Sequence, residues 1–126
     1  MPIFRLSRKA FVATLSLLAW PVLAHHSSSM FDMQSQITLT GTVREFQFTN
    51  PHCWIQLWVE NNGAIEEWSV EMAAPIQVFQ GGWNAHTLKP GDKITVILHP
   101  MRDGSKGGNF ISATAADGGQ LGRSKP

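Results

Sequence analysis

Between Gln36 and Phe48 the chain alternates apolar and polar residues, and the alternation changes phase once. Ile37, Leu39, Gly41 and Val43 alternate with Thr38, Thr40, Thr42 and Arg44, the pattern of a half-buried strand. The apolar set then moves to Phe46 and Phe48. Side chains alternate with a period of two, so such a flip within one strand requires an extra residue. A bulge near Arg44-Glu45 is therefore predicted, and with it a long first strand that bends sharply.

The remaining elements follow from turn chemistry. Thr49-Asn50-Pro51-His52 ends the first strand, because proline has no N–H to give the ladder. Cys53 to Glu60 is a second strand, with Cys53, Ile55, Leu57 and Val59 on one face and Trp54, Gln56 and Trp58 on the other. Asn61-Asn62-Gly63 is a hairpin turn whose residues accept positive φ. A third strand runs from Ile65 to Glu71, with Trp68 and Val70 inward. Ala73 to Gln80 reads as the one helix, with Pro75 in its first turn, Ile76, Val78 and Phe79 as its apolar side, and Gly81-Gly82 as its stop. Leu88-Lys89-Pro90-Gly91-Asp92 turns into a fourth strand, Lys93 to His99. Gly104 to Gly108 reads as a flexible loop before a fifth strand, Asn109 to Ala115. The expected fold class is all-β with one short helix, in the order β-β-β-α-β-β. That is the order of an OB-fold-like five-stranded barrel, whose first strand is long and bent.

Four segments are expected: a signal peptide over 1–24, an N-terminal arm over 25–35, the barrel over 36–117 and a fraying polar tail over 118–126. The signal peptide rests on Arg5, Arg8 and Lys9, the apolar run from Ala10 to Ala24, and small residues at Val22 and Ala24 before the cut. Ser7-Arg8-Lys9 resembles a twin-arginine signal with lysine in the second place, so the Sec route to the periplasm or exterior is the expectation. Cleavage takes three basic residues away and leaves 7 against 9 acidic ones, so the net charge of +1 becomes about −2. A basic face for nucleic acid is not expected on such a domain, and no second apolar run is long enough to span a bilayer.

Cleavage after Ala24 would make His25 the first residue. Its free amine and imidazole together chelate metal, and tetragonal nitrogen ligation favours Cu(II). Both groups lose their protons near neutral pH. His26 and His52 are the further candidate copper ligands, with His99 and Glu71 as weaker ones. Against this stands the plain reading of His25 and His26 as tolerated polar residues on an arm, and of His52 as a hydrogen-bonded turn residue. His86 reads as surface. Cys53, the single cysteine, reads as buried and inert, with a thiolate ligand beside His52 as the minority reading. The competing functional expectation is a metal-free module that binds another periplasmic protein or a small ligand on the Trp54/Trp58 face.

The chain carries no Gly-x-Ser-x-Gly, His-Glu-x-x-His or CxxC pattern, so no enzyme is expected. An N-terminal histidine does resemble the copper brace of oxidative polysaccharide-cleaving enzymes, which keeps an oxidative copper enzyme as a lesser alternative.

Several short motifs occur together: Ala24-His25-His26-Ser27, Phe31-Asp32, Thr49-Asn50-Pro51-His52-x-Trp54-Ile55 and Trp68-x-Val70-Glu71. Further along are Ala74-Pro75, Gly82-Trp83, Leu88-Lys89-Pro90-Gly91-Asp92 and His99-Pro100-x-Arg102-Asp103-Gly104. The set resembles a family of small exported bacterial proteins known only as a domain of unknown function. The resemblance spans the mature chain, departs at Ser28 where a bulky aromatic is usual, and implies an exported β-rich domain with no established activity.

Overall fold

The computed structural model describes residues 28–122. Five strands, β1 (Ile37–Gln47), β2 (Trp54–Asn61), β3 (Ala64–Glu71), β4 (Lys93–Pro100) and β5 (Gly107–Ala115), close into a barrel. One helix, α1 (Pro75–Gln80), lies between β3 and β4. Around the barrel the order is β1-β2-β3-β5-β4, with β3 and β5 parallel and all other neighbours antiparallel. This is the OB-like topology that the element order predicts.

The bent strand arises as the phase flip requires. β1 pairs with β4 through Ile37–Thr42 and with β2 through Thr42–Gln47, so it serves both sides of the barrel. The register with β2 slips between Val43 and Glu45, which leaves Arg44 as the extra residue. Gly41 lies where the two strands press together. A Cβ there would stand 2.7 Å from the Trp58 carbonyl oxygen, closer than side-chain carbons approach. The inward set, Val43, Ile55, Leu57, Val70, Val96 and Leu98, is buried almost completely. Each such side chain contributes roughly 1.5–3 kcal/mol of apolar burial. The β2–β3 turn has Asn62 and Gly63 at φ 52° and 81°, the left-handed pair of a two-residue hairpin.

Several local expectations change. Gly107 and Gly108 are not loop. They are buried, they begin β5, and with Asn109 they form the three-residue parallel seam on Ser69, Val70 and Glu71. Glycine is needed there for space: a Cβ on Gly107 would lie 2.9 Å from the Ser69 carbonyl oxygen, and one on Gly108 would overlap the His99 carbonyl and a Leu98 methyl. In α1 only Val78 is buried, while Ile76 and Phe79 point to solvent at 64% and 62% exposure. A six-residue helix has under two turns, and Val78 is the position whose carbonyl receives the Trp83 N–H as the chain folds back.

Trp83 is itself buried and packs on Phe46 and Phe110, with ring centroids 5.8 and 5.5 Å away. Of the segment expected to fray, the described residues 118–122 fold back. Ala115 N–H donates to Gly119 O and Leu121 N–H to Ala113 O, which brings Leu121 against the core. At the other end, residues from Ser28 onward lie along the barrel. Phe31 is buried and bridges to Met101, and Asp32 N–H donates to Pro100 O.

Candidate functional site

β2 and β3 continue their pairing for one step beyond the strands. Cys53 N–H donates to Ala73 O, and Met72 N–H donates to Cys53 O. This step holds His52, just after the cis Asn50–Pro51 bond, beside the end of β3. His52 Nδ1 lies 3.0 Å from the Met72 carbonyl oxygen and 3.4 Å from Glu71 Oε1. A ring nitrogen facing a carbonyl is the protonated one, so this contact orients the imidazole. Glu71 is largely covered, its side chain only 13% exposed. His52 and Glu71, separate candidates in the sequence, are thus one pair. Cys53 is fully buried and burial pushes its thiol up, away from the thiolate a metal would need.

Beside this pair opens a pocket of about 810 Å³. Its apolar walls are Met72, Val78, Trp83, Phe110, Ile111 and Leu121. Polar groups reach it from four chain segments: His52 before β2, Gln77 on α1, Asn109 and Ser112 on β5, and Gln120 on the folded-back tail. The size falls within the ordinary range for small-ligand sites, which are apolar with a few placed polar groups. Sequence reading misses this pocket apart from His52. One trace of it is the extra apolar residue in β5, because the β4–β5 register jumps from Ser112 to Phe110 and leaves Ile111 unpaired.

His99 is not part of the pair. The register sets Trp54, Glu71, Asn109 and His99 in one row across β2, β3, β5 and β4. At about 4.8 Å per strand, the backbones of Glu71 and His99 are roughly 10 Å apart. His99 Nδ1 instead meets the Ser35 carbonyl oxygen at 2.7 Å, so it helps to seat the arm. Arg102 does the same, with Nε donating to Ser29 O at 3.0 Å. Hydrogen bonds from Ser35 and the Gln34 amide, with smaller help from Arg102 and His99, hold the Asp32 carboxyl below its usual range. His86 is exposed in the loop after Trp83. Among the described residues no three His, Cys, Asp or Glu side chains converge to hold a metal. His25 and His26 lie outside the described residues.

The outer face of β2 is not a continuous apolar surface. Between Trp54 and Trp58 sits Gln56, nearly buried, which donates to Gln47 Oε1 at 3.0 Å and accepts from the Ser69 hydroxyl. Trp58 is 40% exposed and lies under the Arg44 guanidinium, whose carbon is 5.9 Å from the ring centroid. Arg44 Nε in turn is 2.9 Å from Glu67 Oε1, an ion pair whose angle is too bent for a hydrogen bond. Trp58 is therefore engaged by Arg44, and the polar Gln47-Gln56-Ser69 row separates it from Trp54.

Fold and site together define a small OB-like barrel with a ligand-sized side pocket. The chain belongs to the "Family of unknown function (DUF6152)", whose model matches residues 12–110. No curated protein sequence matches it. Among solved structures it is similar to the mitochondrial single-stranded DNA-binding protein Rim1 of S. cerevisiae. That match has 12% identity and a TM-score of 0.49, and covers 65% of this chain and 94% of that one. No helix among the described residues is long and apolar enough to cross a membrane.

Proposed function

We propose that this protein is an exported, non-catalytic binding domain that takes a small ligand into the pocket beside His52. The observation that carries the reading is the pocket itself: a largely apolar wall with polar groups brought from four segments. It is preferred to the Trp54/Trp58 face as the ligand surface, because the hydrogen-bonded Gln56 interrupts that face and Trp58 lies under Arg44. Export rests on the leader pattern of residues 1–24.

Nile red, an uncharged dye that brightens in apolar sites, tests the pocket. Its fluorescence is expected to rise on mixing with the protein. The rise should vanish in Ser112→Phe, which fills the pocket, and persist in Trp58→Ala, with circular dichroism showing both variants folded. Loss in Trp58→Ala and retention in Ser112→Phe would return the site to the β2–β3 face.

A copper reading draws on a different observation, the seating of the arm at His99. With Nδ1 donating to Ser35 O, the His99 Nε2 carries the lone pair, the state that ligates metal. A chelate begun by His25 and His26 would take its barrel nitrogen from His99 or from His52. Calorimetric titration with Cu(II) should give tight binding for a chain beginning at His25, and at least tenfold weaker binding with one alanine added in front. Equal, weak binding by both forms would rule the chelate out.

A further inference from the structure

We infer that the pocket selects an uncharged ligand bearing hydroxyl, carbonyl or amide groups, and discriminates against both anions and cations; the inference rests on the pocket reading above. Among the described residues that line the pocket, no Lys, Arg, Asp or Glu is present. The one titratable group is His52, and its Nδ1 faces the Met72 carbonyl with Glu71 close by. A carboxylate entering the pocket would find no fixed cation and would meet an imidazole already paired with a carboxylate. An ammonium ion would find no carboxylate in the lining, of which Glu71 is not a part. Removing either ion from water without a partner costs far more than removing a neutral polar group that regains its hydrogen bonds.

The polar groups present suit a neutral ligand for a second reason. Gln77, Asn109 and Gln120 are amides and Ser112 is a hydroxyl, so each both donates and accepts. Such a lining meets hydroxyl, carbonyl and amide groups without demanding one charge state. Trp83 and Phe110, packed edge to face, add aromatic surface for the apolar part of the ligand.

Three matched probes test the class: 2-naphthalenemethanol, 2-naphthoate and 2-naphthylmethylammonium, titrated into the full chain at neutral pH. Binding is followed by the amide NMR signals of Asn109, Ser112 and Gln120. The neutral alcohol is expected to bind at least tenfold more tightly than either ion. Gln77→Lys, at an exposed helix position that lines the pocket, should reverse the order and favour the naphthoate. If either ion binds within tenfold of the alcohol in the unaltered chain, or if Gln77→Lys leaves the order unchanged, the neutral-ligand inference is overturned while the pocket reading stands. If none of the three probes moves those signals, the pocket reading falls, and this inference with it.

Discussion

Replacing Trp83 by alanine is expected to cost about 3–5 kcal/mol, the usual range for deleting a buried indole. For a domain of this size that lowers Tm by more than ~12 °C. The effect is large because three separate parts of the chain rest on this ring. Phe46 from the bent strand and Phe110 from β5 pack on it, and Gly122 of the folded-back tail sits so close that a Cβ there would overlap the indole nitrogen. Trp83 also forms a wall of the pocket. Nile red binding should therefore fall with stability in Trp83→Ala, whereas Trp83→Phe should recover most of the stability. Thermal unfolding followed by circular dichroism measures the first effect. An unchanged Tm in Trp83→Ala would mean that the ring is not part of the core.

Gly108→Val is the second large effect. Its Cβ alone would overlap the His99 carbonyl and a Leu98 methyl, and valine adds two further carbons. Overpacking of this kind costs about 1–3 kcal/mol, occasionally more, and here it falls on the seam that closes the barrel. Only three residue pairs join β3 to β5, so the strands cannot shift apart without opening it. A loss of about 3 kcal/mol or more is expected in urea unfolding. Gly104→Ala provides the contrast. Gly104 has φ 78° with no atom near the added carbon, so its cost is conformational, about 1 kcal/mol. Should Gly108→Val unfold at the same urea concentration as the unaltered protein, the seam does not hold the barrel shut.

These two positions also mark what the sequence could and could not reveal. The bulge at Arg44 was legible because a phase flip has one geometric meaning in a strand. The hairpin at Asn62-Gly63 was legible for the same kind of reason, since few residues accept positive φ. Gly107-Gly108 was not, because a glycine pair wanted for close packing is written like one wanted for flexibility. His52 and Glu71 could each be named, but only the β2–β3 register brings residues 19 positions apart within 3.4 Å. The pocket was hidden further, since its walls come from α1, β5, the tail and the segment before β2. Nothing local in those segments records that they meet. The helix failed in the opposite way: Ile76 and Phe79 look like an inward face, yet a helix this short buries one side chain.

The bent first strand has a consequence for the order in which the barrel assembles. Its second half pairs with β2 across a loop of a few residues, and β2 pairs with β3 across a two-residue turn. Its first half pairs with β4, where Ile37 meets Leu98 from 61 residues away. Chain closure over short loops is fast, and closure over long ones waits on the entropy of the intervening chain. On loop length alone the three-strand meander is expected to form first, leaving half of β1 as a template for the β4–β5 hairpin, with the glycine seam to β3 shutting last. One strand that bends at a single extra residue thus belongs to a local sheet at one end and a long-range one at the other.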